Sequence, residues 1–162
     1  MRTFTLSGLV VLLGVIAGAG ELDDLYWHQD CQDAKPWVLE SSWLGNASPT
    51  AAASTDGQAV CFRVAEPGRG MHRSLAMPDV GLDEAPWLVV RYRAENLNTE
   101  GTDYLVYLND RVPGRQLNAI RLGDAVSDGR WHVAAVDLSM LTAAESVGGL
   151  AVQVQSGPQG KA

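Results

Sequence analysis

Six polar side chains at alternating positions of apolar segments are the residues best suited to binding chemistry. In Trp87–Ala94 and Leu150–Gln155, apolar residues alternate with guanidinium or amide side chains, which bond well to sugar hydroxyls and uronate carboxylates. If these segments are neighbouring strands, their polar side chains share one surface, which a tyrosine and an asparagine of the next strand extend. The alternative is an ordinary solvated sheet face. The candidate ligand-binding residues are Arg91, Arg93, Tyr107, Asn109, Gln153 and Gln155.

The five tryptophans are a second candidate set, because an indole offers a flat apolar surface on which a sugar ring can stack. Trp27, Trp37 and Trp43 lie in a loop-rich N-terminal region, where packing in the core or pinning a loop is the default role. Trp87 and Trp131 each open an alternating segment, which favours a place in the core or at a sheet edge.

No residue is nominated for catalysis. The sequence has no nucleophile-elbow, P-loop or dinucleotide-binding motif. Its three histidines, His28, His72 and His132, are too widely spaced to suggest a catalytic zinc. We therefore predict a protein that is not itself an enzyme, with a catalytic domain beyond Ala162 as an open alternative.

The composition is that of one globular domain with many short strands. The chain has 162 residues, 46% of them hydrophobic, and its 17 glycines and 7 prolines favour turns over long helices. The formal net charge of -7 argues against a general attraction to nucleic-acid phosphates or anionic membranes. We therefore do not expect nucleic acid as a partner.

Residues 1–19 have the pattern of a signal peptide. Arg2 supplies a positive start, Leu6–Ile16 is an apolar run, and Ala17–Ala19 offers a small-residue cleavage site. The apolar run is shorter than the roughly 20 residues of a transmembrane helix, and no basic cluster follows it. We predict cleavage and export to the extracellular space or the periplasm, with no membrane insertion afterwards.

The two cysteines, Cys31 and Cys61, both belong to the predicted exported part. In an oxidising compartment they can pair, which would close a loop of about 30 residues and contribute about 3 kcal/mol by restricting the unfolded chain. We favour a disulfide over two separate thiols, of which Cys61 would be a small buried strand residue.

Seven short apolar or alternating segments, separated by turn signals, predict the fold. Their spacing of roughly a dozen residues, without amphipathic helices between them, favours an all-β antiparallel β-sandwich over residues 20–162. A helical turn is plausible only within Ser139–Val147. The sequence stops at Gly157–Ala162, where another strand should begin, so we expect a sandwich that lacks its last strand and is the front part of a longer protein. The predicted strands are Gln58–Val64, His72–Met77, Trp87–Ala94, Tyr104–Asn109, Gln116–Leu122, Trp131–Leu138 and Leu150–Gln155.

Four of these segments resemble strands of galactose-binding-like jelly-roll domains of secreted proteins, a group that includes carbohydrate-binding modules. The resemblance covers most of residues 58–155 and implies a sandwich of about eight or nine strands. It also implies frequent attachment to glycan-processing enzymes and, often, a structural calcium. The segments are PWLVVRYRA (86–94), YLVYLN (104–109), DGRWHVAAVDL (128–138) and GLAVQVQ (149–155).

Three functions follow from these observations. The first is a secreted, non-catalytic carbohydrate-binding module that holds a glycan on a polar sheet face or a loop rim. The second is a structural or protein-docking β-sandwich attached to a larger secreted hydrolase or cell-surface protein. The third is a hydrolase or lyase whose catalytic part lies beyond Ala162. We expect a glycan as the partner in the first case.

Overall fold

The structure, a computed structural model, describes residues 4–14, 25–29, 35–39, 52–55, 60–64, 68, 70–100, 103–110, 116–140 and 145–157. Within these ranges the chain forms eleven β-strands and two short 3-10 turns, at Leu122–Asp124 and Leu138–Met140, and no α-helix. The strands are β1 (Phe4–Gly14), β2 (Leu25–Gln29), β3 (Val38–Leu39), β4 (Ala52–Thr55), β5 (Val60–Val64), β6 (Gly70–Gly81), β7 (Trp87–Glu95), β8 (Tyr104–Asp110), β9 (Gln116–Arg121), β10 (Asp128–Asp137) and β11 (Ser146–Gln155).

These strands form two sheets. Sheet 1 has the order β10-β7-β1-β5-β4, with β2 also paired to β1, and sheet 2 has the order β3-β6-β11-β8-β9. Every strand pair recorded in the described residues is antiparallel. The predicted all-β, antiparallel class is therefore confirmed for the part of the chain that the structure describes.

Both sheets contribute one face to a common hydrophobic core. The alternation of the sequence gives β7 and β11 one apolar face each, and burial of that face removes it from water. Trp37 packs edge-on against Phe62 of sheet 1, with ring centroids 5.2 Å apart and planes at 81°. It is 2% exposed, so the default core role is confirmed for this tryptophan. The buried faces of β7 and β11 consist of Leu88, Val90, Tyr92, Ala94, Leu150, Val152 and Val154.

The last strand is longer than its sequence pattern predicts. Gly148 and Gly149, which signal a turn in the sequence, lie inside β11 beside a register shift. A Cβ atom at Gly149 would lie 2.9 Å from Asn109 Nδ2, so the absence of a side chain makes room for the asparagine of β8. The helical turn expected within Ser139–Val147 overlaps the 3-10 turn at Leu138–Met140, and residues 141–144 lie outside the described part of the chain.

Most of the predicted leader forms a strand of sheet 1. β1 pairs with β7 on one edge, and on its other edge it pairs with β5 and then with β2. Cleavage of residues 1–19 stays a prediction. None of the described residues belongs to a helix long and apolar enough to cross a membrane.

Candidate functional site

The best-placed candidate site is the outer face of sheet 1, where β7 and β10 pair. In their register Trp131 lies opposite Arg93, and Val133 lies opposite Arg91. Residues directly opposite each other in an antiparallel pair point to the same side of the sheet, and these four alternate with the buried core residues of β7. We call Arg91, Arg93, Trp131 and Val133 the arginine–tryptophan face.

Arg91 and Trp131 contact each other across the two strands. The guanidinium carbon of Arg91 lies 4.1 Å from the centre of the Trp131 ring, which is the geometry of a cation–π contact. Trp131 is nevertheless 41% exposed, and Val133 beside it is 66% exposed. The face therefore offers a flat aromatic surface and an apolar neighbour to a ligand in solution.

Arg93 brings a second guanidinium to this face. It is half-buried, and its Nε has no hydrogen-bond partner among the described residues. No described carboxylate forms an ion pair with Arg91 or Arg93; the nearby Asp128 carboxylate of β10 instead contacts His132 of the same strand. Two positive charges thus lie together without an anionic partner in the described part of the chain.

A β-bulge in β10 sets the direction of Trp131. Asp128 pairs with Glu95 and Trp131 with Arg93, so three steps along β10 match two along β7. Gly129 lies within this bulge and has φ of +77°, a backbone conformation that favours glycine. The Asp-Gly pair that signals a turn in the sequence therefore belongs to the strand, where its bulge places Trp131 beside Arg93.

Asp128 fixes the start of the bulge through its carboxylate. Its Oδ1 accepts the Arg130 backbone N–H at 2.9 Å and lies 2.8 Å from His132 Nε2. These two hydrogen bonds, that of His132 first, lower the pKa of the Asp128 carboxyl. The carboxylate therefore favours its charged form and holds the backbone next to Trp131.

Two of the other predicted binding residues lie buried in sheet 2. The Tyr107 hydroxyl donates to Gln153 Oε1 at 2.8 Å. Tyr107 is 3% exposed and Gln153 is 0% exposed, so the pair does not lie on a solvated surface. Burial also raises the pKa of the Tyr107 hydroxyl.

The remaining two, Asn109 and Gln155, are half-buried at other points of sheet 2. Gln155 Oε1 accepts a hydrogen bond from Asn98 Nδ2 at 3.3 Å, and the Gln155 backbone carbonyl accepts one from Asn98 N–H at 2.8 Å. Gln155 therefore helps to join the end of β11 to the chain that follows β7.

The six predicted residues consequently form two groups rather than one surface. β7 pairs with β1 and β10 in sheet 1, whereas β11 pairs with β6 and β8 in sheet 2. Arg91 and Arg93 stay together on an open face, while Tyr107 and Gln153 bond to each other inside the protein. The single shared surface required β7 and β11 to be neighbours, and they are not.

Sequence reasoning missed Trp131 and Val133 as members of the site. Trp131 is expected in the core or at a sheet edge; it is 41% exposed and therefore not in the core, and it lies on β10, which ends sheet 1 in the part of the chain that the structure describes. The alternation itself places Trp131 and Val133 on one face. The alternation does not indicate that β10 pairs with β7, and this pairing is what brings the face next to the arginines of β7.

Several predictions fall outside what the structure describes. Cys31 and Trp43 lie outside the described residues, so the Cys31–Cys61 disulfide stays a prediction. The structural calcium implied by the resemblance stays a prediction; in the described part of the chain no three His, Cys, Asp or Glu side chains lie close enough together to hold a metal ion.

Comparisons of this chain with protein-family models, with curated proteins and with solved structures found no match.

Proposed function

We propose that this protein is a secreted, non-catalytic glycan-binding module with a galactose-binding-like jelly-roll fold, and that its arginine–tryptophan face binds the glycan. The observation that carries the proposal is the stack of Arg91 on Trp131, with 41% of the indole residue still exposed. A stacked indole cannot turn freely, so less conformational entropy is lost when a sugar ring binds to it. The resemblance of four segments to such domains supports the same function.

The chemistry of the face favours a glycan with carboxylates. The apolar side of a sugar ring would lie against Trp131 and Val133, which are both exposed. The N–H groups of Arg91 and Arg93 would donate to the oxygens of a uronate, for which a planar guanidinium has the matching geometry. The whole chain carries a net charge of -7, so the attraction would come from this local pair of cations rather than from the overall charge.

Affinity electrophoresis tests the proposal directly. The exported protein would be run in native gels that contain polygalacturonate, alginate, a neutral galactan or a neutral glucan. We expect retardation by at least one uronate polymer, and we expect Trp131→Ala and Arg93→Ala to abolish it without changing the melting temperature by more than about 3 °C.

Arg121→Ala is the matched control. Arg121 is an exposed arginine of sheet 2 whose guanidinium carbon lies 5.7 Å from the centre of the Tyr104 ring, so this variant removes the same charge and a similar contact elsewhere. It should leave the retardation intact. If no polysaccharide in the panel retards the protein, or if Arg121→Ala reduces retardation as much as Arg93→Ala does, the proposal fails.

The second candidate is a structural or protein-docking sandwich. It is favoured by the position of β10 at the edge of sheet 1 and by the exposure of Val133, since an edge strand with apolar side chains is a template for strand pairing. This reading predicts self-association that Val133→Lys weakens, measured by sedimentation velocity, together with no retardation by any polysaccharide.

A further inference from the structure

β10 is the longest of the strands that end the two sheets in the part of the chain that the structure describes. It has ten residues, whereas β4, β3 and β9, at the other ends of the sheets, have four, two and six. An edge strand presents backbone N–H and C=O groups that can pair with a further strand, and shortness is one device that limits such pairing. β10 is therefore the edge strand best able to pair with another chain.

The middle of β10 carries none of the features that usually block strand pairing. Residues 131–136, with the sequence WHVAAV, contain no proline, lysine, arginine or carboxylate. Val133 is 66% exposed, and Ala135 is exposed as well. The bulge of this strand lies at its start, between Asp128 and Trp131, and leaves the rest of the strand regular. Because soluble proteins commonly protect an edge with charges, proline or a bulge, an edge without them in its middle favours an interface.

The charges near the two ends of β10 indicate which partner fits. Arg130 lies near the start and Asp137 is the last residue, while the Asp128 carboxylate contacts His132 of the same strand. A parallel copy of β10 would bring Arg130 to Arg130 and Asp137 to Asp137, which is unfavourable. An antiparallel copy with Val133 opposite Val133 would place Arg130 diagonally next to Asp137 of the second copy. A two-fold axis repeats this contact, so the edge is self-complementary.

We propose that β10 pairs antiparallel with β10 of a second copy of this chain, so that sheet 1 continues through both copies. Residues opposite each other in such a pair point to the same side, so the two arginine–tryptophan faces form one surface. With Val133 at the centre, Trp131 is opposite Ala135 of the second copy, and the backbone positions of the two tryptophans are about 14 Å apart along the strands. One polysaccharide chain can then bind both faces, which raises the apparent affinity. The pairing is independent of glycan binding, and only the joint use of the two faces rests on the proposed function.

Sedimentation velocity over a range of protein concentrations tests the pairing. We expect a concentration-dependent dimer, and we expect Arg130→Glu and Asp137→Arg each to raise its dissociation constant at least about tenfold. The double variant Arg130→Glu/Asp137→Arg should return to within about threefold of the wild type, because the exchange restores both contacts. Arg121→Glu is the matched control, since it makes the same change of charge at the end of β9 and should leave the dimer intact.

Hydrogen exchange of the wild-type protein locates the interface without any variant. We expect amides within residues 131–136 to exchange at least about tenfold more slowly at concentrations where the dimer forms than where the monomer dominates. Amides of β9 should not change, because β9 is an edge strand of sheet 2. Protection that appears in β9 instead of β10 would assign the interface to the wrong sheet for this proposal and overturn it.

Affinity electrophoresis in a uronate polymer tests the joint use of the two faces. Arg130→Glu and Asp137→Arg should each weaken retardation, and the double variant should recover it, whereas a uronate oligosaccharide too short to reach both faces should bind all four proteins equally. A protein that stays monomeric at every concentration yet is retarded would overturn the dimer and leave the proposed function standing. A double variant that does not recover self-association would overturn the antiparallel pairing. Dimerisation through β10 without retardation by any polymer would support the pairing and refute the proposed function.

Discussion

The guanidinium carbon of Arg91 lies 4.1 Å from the centre of the Trp131 ring, across the pairing of an edge strand with its neighbour. Because Trp131 is directly opposite Arg93, the stacked arginine is its diagonal neighbour, which is within reach of long side chains in an antiparallel pair. The contact covers one side of the indole and leaves 41% of the tryptophan exposed.

A double-mutant cycle should detect this contact in the absence of any ligand. We expect Arg91→Ala and Trp131→Ala to be coupled by about 0.5–1 kcal/mol in the free energy of unfolding, the range for an exposed cation–π pair. Urea denaturation of the two single variants and the double variant measures it. Arg130→Ala is the control partner, because Arg130 is an exposed arginine next in sequence, whereas the guanidinium over the Trp131 ring is that of Arg91. Equal coupling of Trp131 to both arginines would argue against the stack.

Replacing Gly129 should destabilise the protein, although this residue has no side chain that could pack. Its φ of +77° is unfavourable for a residue with a side chain, and a Cβ atom there would lie 3.1 Å from Glu95 Oε1. We expect Gly129→Ala to lower the free energy of unfolding by about 1 kcal/mol and to weaken any ligand binding at Trp131, since the bulge aims that side chain.

Gly157→Ala is the control for this prediction. Its φ is not positive, no atom lies within 4 Å of a Cβ built there, and alanine keeps both backbone hydrogen bonds. Urea denaturation should show a change within about 0.5 kcal/mol. If both alanine variants lose the same stability, the conformation of the bulge is not what makes Gly129 necessary.

Local pattern and non-local pairing explain which parts of this fold the sequence predicts. The period of two in β7 separates Leu88 and Val90 from Arg91 and Arg93, and the burial of the first two confirms that separation. The alternation within β7 does not indicate which strand pairs with β7. The partner of Arg91 is Trp131, forty positions away along the chain, so sequence could nominate the arginines but not the indole that completes their face.

Gln153 shows that the alternating pattern also does not predict solvent exposure. Its side chain points away from the core residues of β11, and the alternation is consistent with a solvated face. In the structure Gln153 is completely buried next to Tyr107, because residues that are distant in the sequence lie beside it on that face. An alternating strand therefore fixes the side of the sheet, while solvent exposure depends on what packs on that side.

The Tyr107–Gln153 hydrogen bond should contribute to stability rather than to binding. Tyr107→Phe removes the donor to a fully buried Gln153 Oε1, and we expect it to cost about 1–3 kcal/mol of unfolding free energy in urea denaturation. Adding Gln153→Leu should recover part of this loss, since the double variant leaves no buried amide. Tyr104→Phe, at a half-exposed tyrosine of the same strand, should cost less. A greater loss from Tyr104→Phe would contradict the assignment.

The Asp128 carboxylate should make stability depend on pH in the acid range. Its pKa is lowered in the folded protein by hydrogen bonds from His132 and Arg130, relative to an unfolded value of about 3.9. A lowered folded pKa stabilises the protein above the unfolded value, and this contribution is lost as the pH falls through the folded pKa. Asp128→Asn, which cannot ionise, should therefore be less stable than the wild type near pH 6 and approach it in the range below about pH 4.

Asp124→Asn is the matched control in urea denaturation at each pH, because Asp124 has an exposed carboxyl that forms no hydrogen bond with another described residue. A stability difference for Asp128→Asn that stays constant down to pH values near 3 would mean that the charge of the carboxylate is not what holds the bulge.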